Sequence, residues 1–193
     1  LVDVALEGVD ESTPNADGEV RVLEVGVGTG CISLSIATER PQTRVYATDL
    51  SPQAIALATR NRDALELQER VELIECDLVE DVPAELAQSF SVLVSNPPYI
   101  PTNVLEQEVP AEVKGFEPEL ALDGGEDGLD IYRRLLEAAP HMLLPGGMLC
   151  VELYEGHLDK AAHLAEEQGV WESVEVIEDL THRPRILVAR LAK

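Results

Sequence analysis

The tetrapeptide Asn96-Pro97-Pro98-Tyr99 follows directly on the run Phe90, Val92, Leu93, Val94, Ser95. A buried strand with this ending delivers an amide side chain, a donor-free carbonyl and an aromatic ring to one spot. Each residue before a proline is pushed to extended backbone, so Asn96 and Pro97 are held stiffly, and neither proline has an N–H to compete for nearby acceptors. The chemistry this suits is reception of a planar NH2 group. The Asn96 side-chain oxygen and the Pro97 carbonyl each accept one N–H, while Tyr99 stacks on the plane. Taken alone, the segment reads first as a rigid exit from strand to loop.

A second constellation changes that balance. Gly26-Val27-Gly28-Thr29-Gly30 follows the apolar stretch Val20, Val22, Leu23, Val25, and a glycine loop after a first strand admits a nucleotide-type ligand close to the backbone. A dinucleotide fingerprint needs its third glycine at position 31, where Cys31 stands, and a phosphate-binding loop needs a lysine, of which the first is Lys114. Asp49 closes the second strand, where an acid can accept from both ribose hydroxyls. Asp77 closes the third, placed to accept from an adenine amino group, with Leu78 against the purine face. Helix capping by Asp49 and loop opening by Asp77 are equally good readings of either residue alone. Three strand ends in register are harder to assemble by accident. Glu24 serves as well to satisfy backbone donors around the glycine loop. An adenosine pocket without phosphate recognition, beside an NH2-receiving exit, points to S-adenosylmethionine, with S-adenosylhomocysteine as product and no metal.

Bringing these groups together requires strands alternating with helices, and the sequence supplies them. Strands are expected at 20–25, 44–48, 71–75, 90–95, 148–153, 174–178 and 186–189. Helices are expected over 32–39, after Ser51-Pro52 to about Leu65, over 129–139 and over 157–168, the last closed by Gly169. Gly146-Gly147 reads as a turn. The Pro-rich, acidic stretch Pro101 to Gly128 reads as a long ordered loop or lid. Alternation of this kind implies an α/β fold with a parallel sheet and right-handed crossovers, and the last two strands are close enough to pair antiparallel.

The 193 residues, 45% hydrophobic, suit one domain with a core. Residues 1–19 are expected to form a residual N-terminal helix and linker, and 20–193 the catalytic domain. No apolar run approaches a membrane span and no signal peptide is apparent, so a cytoplasmic chain is expected. Cys31, Cys76 and Cys150 lie far apart without metal-ligand spacing and read as buried free thiols. The net charge of -23 repels phosphate backbones and argues against nucleic acid as a direct partner.

Leu-Glu-Val-Gly-Val-Gly-Thr-Gly, Ala-Thr-Asp-Leu-Ser-Pro, Val-Ser-Asn-Pro-Pro-Tyr-Ile-Pro, Phe-Glu-Pro and Ala-Leu-Asp-Gly-Gly-Glu-Asp-Gly-Leu resemble the catalytic domain of the peptide chain release factor glutamine methyltransferases (PrmC or HemK) from about Val20 onward. The resemblance implies a class I S-adenosylmethionine-dependent methyltransferase fold, Rossmann-like, with a seven-stranded, mostly parallel sheet whose last strand is antiparallel. It implies methylation of the side-chain amide nitrogen of the glutamine in the Gly-Gly-Gln loop of a release factor, the expected partner. Gly26 to Gly30 would hold the methionine part of the cofactor, Asp49 the ribose, Leu78 the adenine edge, and Asn96 to Tyr99 the glutamine amide. The family's helical N-terminal domain and its Pro-Arg-x-Glu-Thr segment are not visible in these residues. The alternatives are an adenine N6 or guanine N2 methyltransferase that applies the same Asn-Pro-Pro-Tyr logic to a flipped base, and a non-catalytic cofactor-binding module.

Overall fold

Strands buried on both faces read as continuous apolar runs, and Val20–Val25 and Phe90–Ser95 are of this kind. The computed structural model describes residues 1–15, 17–107 and 121–193. Among these, β1 (Val20–Val25), β2 (Thr43–Asp49), β3 (Val71–Glu75), β4 (Phe90–Ser95), β5 (Leu143–Glu152), β6 (Trp171–Glu178) and β7 (Pro184–Leu191) form one sheet in the order β3-β2-β1-β4-β5-β7-β6. β1 to β5 pair in parallel, and β7 runs antiparallel to both neighbours. The helices are α1 (Val2–Glu11), α2 (Cys31–Glu39), α3 (Pro52–Ala64), α4 (Thr102–Gln107), α5 (Asp130–Met142) and α6 (Leu158–Gln168).

Alternate residues of the strands feed two cores. Leu23, Val25, Leu93, Leu149 and Val151 pack with Tyr132, Leu135 and Leu136 of α5 and with Leu158 and Ala161 of α6. Val20, Val22, Val45, Val92 and Val94 pack with Ile32 and Ile36 of α2 and with Val4, Ala5 and Val9 of α1. α3 begins as its sequence dictates: Pro52 fits the first turn, and the Ser51 hydroxyl accepts from the Ala54 N–H at 3.3 Å.

The structure departs from the sequence reading in three places. β5 starts at Leu143, ahead of the expected turn. Phe90 pairs with Leu143 and Val92 with Met148, so Leu144 to Gly147 bulge out while β4 advances by Ser91 alone. Cys31 is exposed at the first residue of α2, whereas Cys76 and Cys150 are buried. Within the expected loop 101–128, Thr102–Gln107 is helical, and Ala121 onward folds back on Ile100. The Phe116-Glu117-Pro118 motif lies outside the described residues.

Candidate active site

Strand order reverses between β1 and β4, and in open α/β sheets a crevice at the carboxyl ends of the strands opens at that point. Val25 and Ser95 are the last paired residues there, and Asp49 pairs with Glu75 at the ends of β2 and β3. Gly26, Asp49, Asp77 and Asn96 therefore sit along one edge of the sheet. The Ser95 hydroxyl donates to the Val25 carbonyl at 2.7 Å, tying the floors of the two loops together.

The glycine loop hangs from its neighbour strand. Gly26 and Val27 N–H both donate to the Thr48 carbonyl at 2.9 Å. Gly26 and Gly28 have φ of +83° and +52°, and a Cβ on either would meet nothing within 4 Å, so their faces look onto open space. Gly30 differs: a Cβ there would come within 3.0 Å of Leu34, so its bare face serves helix packing. The Thr29 carbonyl accepts from Asn61 Nδ2 at 2.8 Å, which anchors the loop to α3.

Asp49 accepts the Gly28 N–H at 2.9 Å on one carboxylate oxygen and the Ser51 N–H at 2.8 Å on the other. It thus holds the loop and precedes the α3 cap at once. A carboxylate offers about four lone-pair sites, so capacity remains for two further donors. Below the loop, Glu24 is 1% exposed and accepts from the Ser33 N–H at 2.9 Å and from the Ser33 hydroxyl. Burial pushes its carboxyl up to about 8 despite these bonds. The donors it satisfies belong to the first turn of α2.

Along the edge, Arg134 of α5 pairs with Asp77 at 2.9 Å and fixes that carboxylate. Leu78 adopts a positive φ of 50°, and its carbonyl accepts from the Thr48 hydroxyl at 2.7 Å. Leu50 was missed by the sequence reading. It is 51% exposed directly after Asp49, an apolar side chain left uncovered at the same edge of the sheet as the glycine loop. Its signal was a leucine that follows a strand-ending acid, where strand burial no longer applies.

On the other side of the switch point, Asn96 is exposed at the end of a wholly buried strand, Pro97 is buried, and Tyr99 packs against the core at its ring. The structure brings Gly26 to Gly30, Asp49, Leu78 and Asn96 to Tyr99 to one edge, with Asp77 drawn toward α5. Arg133, Arg183 and Arg185 all pair with carboxylates.

A family model described as the methyltransferase small domain matches residues 9–113. The chain belongs to this family. It is 44% identical over 161 residues to a release factor glutamine methyltransferase of Geobacter sulfurreducens, covering 83% of the chain and 55% of the relative. It is 41% identical over 189 residues to another so named from Moorella thermoacetica, covering 98% and 63%. The chain thus spans between 55% and 63% of the length of these two relatives. Among solved structures, a methyltransferase from Pyrococcus furiosus superposes with a TM-score of 0.68 at 20% identity, covering 100% of this chain and 83% of that one. An rRNA methylase from Streptococcus thermophilus gives 0.61 at 18% identity, with coverage of 100% and 97%. The architecture is the class I methyltransferase fold. Fold likeness at this level does not choose between a protein and a nucleic-acid acceptor. No helix among the described residues is long and apolar enough to cross a membrane.

Proposed function

We propose that this chain transfers the methyl group of S-adenosylmethionine to the side-chain amide nitrogen of the glutamine in the Gly-Gly-Gln loop of a peptide chain release factor. The observation that carries the reading is the exposed Asn96 at the end of buried β4, one strand from glycine faces that open onto the same edge. The naming of the relatives as release factor glutamine methyltransferases supports the acceptor. The net charge of -23 weighs against a nucleic-acid one.

The residues fit the cofactor. Gly26 and Gly28 leave room for close approach of the methionine part, Asp49 retains acceptor capacity for the ribose hydroxyls, and Leu50 and Leu78 offer apolar cover for the adenine. Asp77, oriented by Arg134, accepts from the adenine amino group. When bound, S-adenosylmethionine supplies an electrophilic methyl on a sulfonium and departs as neutral S-adenosylhomocysteine.

An amide nitrogen is a poor nucleophile because its lone pair is delocalised into the carbonyl. Asn96 Oδ1 and the Pro97 carbonyl accept the two N–H bonds, which aims the lone pair and favours the positive charge that builds on nitrogen. Tyr99 stacks on the amide plane. With the nitrogen so held, positioning is the main device, worth ~7 to 11 kcal/mol in well-aligned systems. The proton leaves to solvent after transfer, and no separate base is needed.

The test is incubation with methyl-labelled cofactor and either a release factor or nucleic acid. Label on the Gly-Gly-Gln glutamine is expected. Label on nucleic acid, or on neither acceptor, overturns the reading.

A further inference from the structure

Beyond Ser95 the chain leaves the sheet, and among the described residues backbone hydrogen bonds tie Ile100 and Thr102 to residues 122–125. Ile100 N–H donates to the Leu122 carbonyl at 3.0 Å, Gly124 N–H to the Ile100 carbonyl at 2.8 Å, and Thr102 N–H to the Gly125 carbonyl at 2.9 Å. The contact is tight at its centre. A Cβ on Gly124 would lie 2.7 Å from the Tyr99 Cα and 2.9 Å from the Gly128 Cα, and one on Gly128 would strike the Tyr99 carbonyl oxygen. Three backbones, at Tyr99, Gly124 and Gly128, are thus stacked at a separation that no side chain permits.

Asp127 stands between those glycines and carries the load outward. Arg133 of α5 forks onto both of its oxygens, at 2.9 and 2.6 Å, and Lys160 of α6 adds a contact at 2.5 Å. The Leu129 N–H completes the set at 3.2 Å. A bidentate arginine fixes direction as well as distance, so the loop is anchored to two helices that are themselves buried against the sheet. The two cations hold the Asp127 carboxyl well below the usual carboxylate range, which keeps it charged throughout the neutral region.

We infer that Asp127, Arg133 and Lys160 are positioning residues that brace the Asn96–Tyr99 exit through Gly124 and Gly128, an inference that rests on the reading of that exit as the acceptor site. None of the three needs to touch the substrate. They act by denying the Tyr99 backbone the freedom to drift. A displacement of about 1 Å at a reacting group costs on the order of a hundredfold in rate.

Two variants test this from opposite sides. Asp127→Asn releases the brace, and Gly124→Ala, at a φ that alanine can adopt, presses a methyl against the Tyr99 and Gly128 backbones and forces them apart. Each is expected to lower kcat for release-factor methylation by roughly tenfold to a hundredfold while the Kd for S-adenosylmethionine stays within about twofold. Arg133→Lys, which keeps the charge but loses the fork, should fall between wild type and Arg133→Ala. If Asp127→Asn does not fold, Lys160→Ala removes one exposed contact and carries the same split in smaller measure. A kcat within about twofold of wild type in these variants overturns the inference, as does a parallel fall of kcat, cofactor affinity and Tm, the mark of a merely structural role. Amide hydrogen exchange separates the brace from the functional reading. Should wild type transfer no methyl to the release factor, that reading fails by itself. Faster exchange at Ile100 and Thr102 in Asp127→Asn then supports the brace, and unchanged exchange overturns it.

Discussion

The two halves of the site are held by different means. On the β1–β2 side the loop is secured by its immediate surroundings: Asp49 binds Gly28 and Ser51, Thr48 binds Gly26 and Val27, and Glu24 seats α2 through Ser33. On the β4 side Asn96 stands exposed, and the backbone that follows it, from Tyr99 to Thr102, is steadied by Leu122, Gly124, Gly125 and Gly128 and, through Asp127, by two helices. The first half is preformed by bonds between the ends of adjacent strands and the first turn of α2. The second is a stiff segment whose placement depends also on two helices that stand outside the strand ends. Under the proposed function, the first half would bind the cofactor and the second would aim the acceptor nitrogen.

The strongest way to break this comparison is Asn96→Ala. Loss of a preorganised polar contact at the reacting nitrogen is expected to lower kcat by about 10² to 10³, with cofactor affinity retained at reduced strength. Near-normal turnover in a methyl-transfer assay would separate the exit from the chemistry. Asp49→Ala should strike the other half. A hydrogen bond to a charged group is worth about 1.5 to 3 kcal/mol, so loss of even one ribose contact should lower cofactor affinity, measured by calorimetry, by at least roughly tenfold to a hundredfold. An unchanged Kd there would leave Asp49 only its loop-holding role.

Leu50→Ala sharpens the comparison further. Because Leu50 is 51% exposed, the melting temperature of the free protein should hardly move. Cover of the side chain by adenine would make its loss cost about tenfold in Kd, in line with ~1.5 kcal/mol for burying a leucine. A Kd equal to wild type would place the adenine elsewhere.

A further test concerns Glu24 and pH. Its carboxyl is raised by burial from an ordinary 4.5 to about 8, so between those values the folded chain keeps a proton that the unfolded chain has released. The stability this contributes is complete below about 4.5 and is lost as pH rises through about 8. Melting curves from about pH 5 to 8 should therefore decline more steeply for wild type than for Glu24→Gln, which stays neutral throughout. Parallel curves would mean that Glu24 titrates normally.

Legibility in the sequence follows the same division. The order of strands and helices was readable because both-face burial leaves unbroken apolar runs, and the parallel sheet with its antiparallel β7 follows from their alternation. The start of β5 was not, because Pro145, Gly146 and Gly147 have the composition of a turn although they bulge within a strand. Gly26 to Gly30, Asp49 and Asn96 stood out because each group lies within a few residues of a strand end. Leu50 was hidden by its apolar type, which reads as core wherever burial is unknown. The brace could not be read at all: Asp127 is six residues from Arg133 and 33 from Lys160, and only the docking of α6 beside α5 makes them neighbours. Gly124 and Gly128 fell within the expected loop 101–128, and their contact with Tyr99 is a matter of tertiary approach.

The Ser95 hydroxyl on the Val25 carbonyl has a consequence for scale. Adjacent strands lie about 4.8 Å apart, and this bond pins that spacing at the root of both loops. The separation between whatever lies on the glycine shelf and whatever lies at Asn96 is thus a lattice constant of the sheet. Under the proposed function, substrate entry can alter angles and cover, but the gap between donor and acceptor sites is built in before either ligand arrives.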